Sequence, residues 1–108
     1  MHINREELPV VKISQISGNR RNLEVTGKIV KKGDTREVKT RYGPAKVSWA
    51  ILRDETGSIR LNLWRAQIDA VMVGDVVRLV NAFVKVYGGE MELNIGSDGR
   101  IDVLERGT

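Results

Sequence analysis

In residues 58–65 the aliphatic side chains fall on alternate positions: Ile59, Leu61 and Leu63 share one parity, and Arg60, Asn62 and Trp64 the other. A period of two marks a strand with one buried face, so the first set faces a core and the second faces outward. The run at 46–53 leads into Asp54-Glu55-Thr56-Gly57, a tetrapeptide suited to a tight hairpin with positive φ at its glycine. Antiparallel return across that turn sets Ile51 opposite Arg60, Trp49 opposite Asn62 and Val47 opposite Trp64. Ser48, Ala50 and Leu52 then point inward, and both tryptophans lie on one outer surface.

The same alternation organises the rest of the chain. Residues 22–32 predict a first strand with Leu23, Val25, Gly27 and Ile29 on the inner parity. Gly27 marks a bulge or sharp bend, which lets one strand serve two sides of a barrel. Gly33-Asp34 opens a turn, 35–40 is extended again, and Tyr42-Gly43-Pro44 reads as a loop because Pro44 has no N–H for a ladder. Residues 66–73 predict the one helix of the body, with Ile68, Val71 and Met72 at helical spacing and Gly74 as its stop. A long strand covers 75–88, with Val84 and Val86 inward and Phe83, Lys85 and Tyr87 outward. Gly88-Gly89 turns the chain into 90–95, where Met91, Leu93 and Ile95 point inward. A further turn at 96–99 precedes a short closing segment at 101–104. At the other end, residues 1–10 read as a flexible leader broken at Leu8-Pro9, and Val11, Ile13 and Ile16 are available to dock on the body.

The order is strand, strand, strand, short helix, strand, strand. That predicts an all-β, five-stranded Greek-key barrel of the OB type, with the helix between strands 3 and 4. An SH3-like barrel is the nearest alternative but usually lacks the helix. A length of 108 residues suits one domain with its own core, so residues 1–108 are read as a single domain.

Composition narrows the chemistry. There is no cysteine, and the one histidine is His2, so disulfides and thiolate metal sites are excluded and no metal or cofactor is expected. No apolar run approaches the ~20 residues that span a bilayer, and no signal-peptide pattern opens the chain. Membrane partners are not expected. The body has no histidine, GxSxG or phosphate-binding loop, and Asp54 and Glu55 are accounted for by a turn, so no catalytic residue is assigned. The formal net charge is +4, but its distribution says more than its size. Residues 28–46 carry seven basic side chains against two acidic ones, and the remainder carries eleven against twelve. The entire excess sits in one stretch.

The aromatic residues number five. Trp49, Trp64, Phe83 and Tyr87 all occupy outward parity, and Tyr42 sits in the basic segment. A barrel with an aliphatic core and its aromatics outside departs from ordinary packing, in which aromatic rings supply much of the core. Each residue also has a plainer reading: Trp64 as a cap on the barrel end, Phe83 or Tyr87 packed beneath the leader, Trp49 buried against Tyr42 or in a dimer contact. The basic run by itself reads as a solvated face. Taken together, flat rings and cations on one surface suit an unpaired nucleic-acid strand, whose bases stack on rings and whose phosphates meet lysine and arginine. The candidate contacts are Trp64, Phe83, Tyr87, Trp49, Arg60, Asn62 and Lys85, with Arg36, Lys39, Arg41 and Lys46 on the phosphate path.

The runs Asp54-Glu55-Thr56-Gly57-Ser58-Ile59, Leu61-Asn62-Leu63-Trp64 and Val73-Gly74-Asp75-Val76-Val77 resemble the simple archaeal single-stranded-DNA-binding proteins. So does the stretch from Asn81-Ala82-Phe83 through Tyr87 to Leu93-Asn94-Ile95-Gly96. The resemblance runs from about Val11 to Ile101, and the DNA-binding domains of replication protein A are more distant relatives. It implies an OB fold and three base-stacking aromatics, which map onto Trp64, Phe83 and Tyr87. It further implies sequence-nonspecific single-stranded DNA binding in replication, repair or recombination, by a monomer lying with the nucleoid in the cytoplasm. Two departures stand out: Trp49 falls where relatives are polar, and the disordered tail that many relatives use to recruit replication and repair proteins is not seen here. Two other functions remain open at this point, an RNA-binding OB domain and a protein-interaction subunit of a replication or repair complex.

Overall fold

The computed structural model describes residues 10–107; Leu8-Pro9, His2 and the rest of the first nine residues of the expected leader lie outside them. Val10 forms a single parallel bridge with Glu24, and the Val11 N–H donates to the Glu24 carbonyl at 3.0 Å. A 3-10 turn, Ile13–Gln15, follows. It is pinned to the body by the Ile13 N–H on Asp54 Oδ2 (2.9 Å) and the Ser14 N–H on Thr56 Oγ1 (3.0 Å). Val11, Ile13 and Ile16, the residues available to dock on the body, are buried.

Six strands form the body: β1 Leu23–Lys32, β2 Arg36–Thr40, β3 Gly43–Asp54, β4 Gly57–Trp64, β5 Val76–Tyr87 and β6 Glu90–Glu105, with a single helical turn, α1, at Gln67–Ala70. Their sheet order is β1-β5-β6-β4-β3-β2, and β1 also pairs with β3. That extra pairing closes a ring of five strands and leaves β2 outside it. The expected five-stranded barrel is therefore present with a sixth strand attached as a hairpin. The link between β4 and β6 is parallel, Arg60 opposite Glu92 and Leu61 opposite Leu93. All other pairings between the strands are antiparallel.

The aliphatic residues of inner parity fill the barrel. Leu23, Val25, Ile29, Ala50, Leu52, Leu61, Leu63, Leu79 and Leu93 are essentially inaccessible to solvent. The β3–β4 register is the predicted one throughout, with Ile51 opposite Arg60, Trp49 opposite Asn62 and Val47 opposite Trp64.

Several local expectations are corrected. Gly27 is not a bulge: the register shifts of β1 lie between Leu23 and Val25 and between Ile29 and Lys31. Gly27 instead sits where β1 passes from β5 toward β3, and a Cβ there would lie 2.8 Å from the Arg53 carbonyl oxygen. Gly57 does not take positive φ; the Asp54 carboxylate builds that turn by accepting from the Thr56 N–H (2.7 Å), the Thr56 hydroxyl (2.6 Å) and the Gly57 N–H (3.2 Å). Gly43 and Pro44 belong to β3 rather than to a loop, and the turn is Arg41-Tyr42. Proline is tolerated there because pairing with β4 begins only at Val47. The helix is shorter than its apolar spacing suggests: Ile68 and Val71 are buried, but Met72 is 64% exposed.

Beyond the barrel rim Val86 is 47% exposed, because the β5–β6 hairpin overshoots the core at Gly88-Gly89, both at positive φ. Residues 96–99 are not a turn between two strands but a bulge within β6, taken up opposite Asn81, itself at φ 59°. At the far end, the buried Asp75 carboxylate accepts from the Met72 N–H (2.9 Å), the Gly107 N–H (2.8 Å) and the Arg106 guanidinium (2.9 Å). The Gly107 bond, with those from Met72 and Arg106, holds this carboxyl below its ordinary pKa against the opposing effect of burial.

Candidate nucleic-acid interface

Outward parity on β3, β4, β6 and β5 builds one continuous face. Across it run Trp49 on β3, then Arg60, Asn62 and Trp64 on β4, then Glu92 and Asn94 on β6, then Phe83, Lys85 and Tyr87 on β5. Phe83 lies opposite Asn94, Lys85 opposite Glu92 and Tyr87 opposite Glu90.

Two grooves are cut into this face. The first, about 480 Å³, is walled by Trp49, Trp64 and Tyr87, with Arg36, Arg60 and Asn62 among its polar groups. The second, about 640 Å³, is walled by Trp64, Phe83 and Tyr42, with Arg41 and Lys85 at its rim and Asn94 lining it. Trp64 is common to both. A smaller recess of about 280 Å³ continues past Phe83, against Arg21, Asn22 and Asn81. The rings thus stand as successive partitions along one track.

Each aromatic is held differently. Trp64 ends β4 half-buried, and its N–H donates to Gln67 Oε1 at 3.0 Å, so the short helix after β4 fixes the backbone that carries the indole. Phe83 is also half-buried, whereas Tyr87 is 78% and Tyr42 84% exposed. Tyr42 rides on the β2–β3 turn, which the Thr40 hydroxyl locks by donating to the Gly43 carbonyl (2.6 Å) and accepting from the Tyr42 N–H (3.1 Å). Trp49, also half-buried, is flanked by cations of its own chain. Lys31 Nζ lies 5.6 Å and Arg60 Cζ 5.5 Å from its ring centroid, both within cation–π range. A Cβ on Gly33 would overlap its indole, and the Gly33 N–H donates to the Trp49 carbonyl at 2.8 Å.

The floor is polar and connected. Arg60 Nε donates to Asn62 Oδ1 (3.1 Å), and Asn62 Nδ2 donates to Glu92 Oε1 (2.8 Å) and, more weakly, to Asn94 Oδ1 (3.4 Å). Glu92 and Asn94 are floor residues that the sequence analysis did not single out. Their alternation with Met91, Leu93 and Ile95 was a usable signal for it.

The basic segment is divided between two sides. Arg36 and Arg41 line the grooves, and Lys31 covers Trp49. Lys39 and Lys46 have the other parity of the β2–β3 hairpin, opposite Pro44 and Glu37, and are not brought together with the aromatics. Lys32 donates to the Ile68 and Val71 carbonyls and serves the last turn of α1. Among the described residues no three His, Cys, Asp or Glu side chains gather as a metal site.

A family profile described as single-stranded DNA binding protein Ssb-like, OB fold, matches residues 17–103. The single-stranded DNA binding protein Ssb of Saccharolobus solfataricus is 31% identical over 90 residues, which cover 83% of this chain and 61% of that protein. Replication factor A of Methanothermobacter thermautotrophicus is 35% identical over 101 residues, 90% of this chain but 13% of that protein. The chain thus spans about three-fifths of the first relative and a small part of the second. Among solved structures, a replication factor A related protein from Methanobacterium thermoautotrophicum superposes with a TM-score of 0.76 at 26% identity, covering 94% of this chain and 96% of that one.

Proposed function

Since this chain belongs to the Ssb-like OB-fold family of single-stranded DNA binding proteins, we propose that its grooved face binds unpaired DNA without sequence selection, in replication, repair or recombination. The observation that carries the reading is Trp64 standing as the shared wall of two grooves, with Phe83 closing the second and Tyr87 flanking the first. Bases enter the spaces between the rings, and stacking is worth roughly 1–3 kcal/mol per base. Arg36, Arg41 and Lys85 meet the phosphates along the rim, which makes affinity salt-dependent. Trp49, with Gly33, Lys31 and Arg60 against it, supports the wall and orients the cations more than it offers a free ring.

A duplex keeps its base faces inside its own stack and cannot use the partitions. The test follows tryptophan fluorescence while oligo-dT, its duplex and the matched RNA are titrated at several salt concentrations. Quenching by oligo-dT, weakened by salt and lost in the duplex, is expected. A clear RNA preference moves the function to RNA. No quenching at low salt gives the face to a protein partner.

A further inference from the structure

Asn94 is 7% exposed and lines the second groove between Trp64 and Phe83. Its Nδ2 has no hydrogen-bond partner among the described residues. A buried amide N–H without an acceptor is costly and uncommon, so such a group calls for an explanation.

The neighbouring network settles which way this amide points. Arg60 has only donors, so the atom of Asn62 that it meets is the oxygen. Glu92 accepts, so the atom it meets on the same amide is the nitrogen. That nitrogen also faces Asn94, which must present its oxygen in return. The nitrogen of Asn94 is thereby left over as a donor, itself shielded from solvent in the floor of the groove that Asn94 lines. A phosphate is a poor occupant of that floor, because the half-buried Glu92 carboxylate sits two residues away and faces the same side. A neutral acceptor is suited to it.

We propose that Asn94 donates to a carbonyl oxygen of the base stacked beside Trp64 and Phe83, giving this one position a preference for thymine, cytosine or guanine over adenine. An exocyclic oxygen projects beyond the ring and meets this donor as the unpartnered Asn94 amide turns up from the floor toward it. Adenine carries none, and its ring nitrogens lie flush with its edge. The proposal rests on the DNA-binding reading above and adds to it a single point of base readout in an otherwise sequence-tolerant track.

The test is a double-mutant cycle between protein and DNA. Wild type and Asn94→Leu are each titrated with oligo-dT and with the same oligomer in which every thymine is replaced by difluorotoluene. That base keeps the shape and the stacking face of thymine but loses its carbonyl acceptors, and uniform replacement prevents the strand from sliding to an intact base. Wild type should prefer thymine over the analogue by about threefold to tenfold more than Asn94→Leu does. Stacking differences between the two bases cancel in the cycle, because both proteins keep their rings. Equal discrimination by the two proteins overturns the assignment. Binding of neither oligomer by wild type instead overturns the reading on which it rests. Asn94→Ala replaces the leucine variant if thermal melting shows that leucine disturbs the barrel.

Discussion

Truncating Trp64 to alanine tests the partition directly. The indole separates the two grooves, so its loss merges spaces of about 480 and 640 Å³ and removes the ring face on which a base rests. One lost stack of roughly 1–3 kcal/mol weakens oligo-dT binding by about 5- to 150-fold. The fold itself loses less. Trp64 is only half-buried, and its N–H bond to Gln67 Oε1 is a backbone contact that alanine retains. The main exposure is at Val47, the buried residue opposite it, and uncovering part of that side chain costs about 1 kcal/mol. Against a total of roughly 5–15 kcal/mol for a domain, that leaves a folded protein. Binding is measured by anisotropy of labelled oligo-dT and folding by thermal melting, since Trp64 is itself a fluorophore. Trp64→Phe keeps a ring and should recover part of the loss. The Trp64→Ala/Phe83→Ala pair adds depth: if both rings sandwich one base, the combined loss falls short of the sum of the single losses. A folded Trp64→Ala protein binding within about twofold of wild type would refute the stacking assignment.

Other perturbations separate the remaining parts. Arg41→Ala should lower the slope of log affinity against log salt by about 0.7, one phosphate contact on a single strand, while Lys46→Ala on the other side of the hairpin leaves it unchanged; equal effects would place both on the phosphate path. Gly33→Ala puts a Cβ into the Trp49 indole. It should displace that ring and alter Trp49 emission in a Trp64→Phe background, and an unchanged spectrum would show the loop free to move aside. Asp75→Ala removes the acceptor for the Met72 and Gly107 N–H groups and should cost about 1–3 kcal/mol in denaturant unfolding. Because the native pKa of Asp75 is depressed, its contribution is fully present above the unfolded value near about 4 and is lost as pH falls through the native value. The stability gap between wild type and Asp75→Ala should therefore narrow in acid; a gap constant with pH would assign the loss to packing.

Legibility in the sequence follows the range of the interactions concerned. Period-two alternation and the hairpin register are local, which is why the facing of Ile59, Leu61 and Leu63 and the pairing of Trp49 with Asn62 are readable from the chain alone. Val86 has the inner parity but no barrel beneath it, since strand overshoot depends on where the ring closes. The bulge at 96–99 reads as a turn because its glycines are the same signal, and only the partner Asn81 distinguishes the two. Glu92 and Asn94 alternate with Met91, Leu93 and Ile95 and so have outward parity, yet their place beside Arg60 and Asn62 comes from the parallel β4–β6 contact, made by residues some thirty positions apart. The division of the basic run between two sides needs β2 as a strand with its own parity. As a mere charge excess, that run looks uniform.

β2 has β3 on one flank and ends the sheet order on the other. Its outer edge offers unshared backbone N–H and C=O groups, the kind of surface that templates unwanted association between copies. Of its five residues, Arg36, Glu37 and Lys39 are charged, and the strand is short. These side chains act as gatekeepers against fibril-like growth whatever else they contact. Neutralising them for the sake of a binding assay therefore risks precipitation, which would mimic weakened affinity and is detected by light scattering.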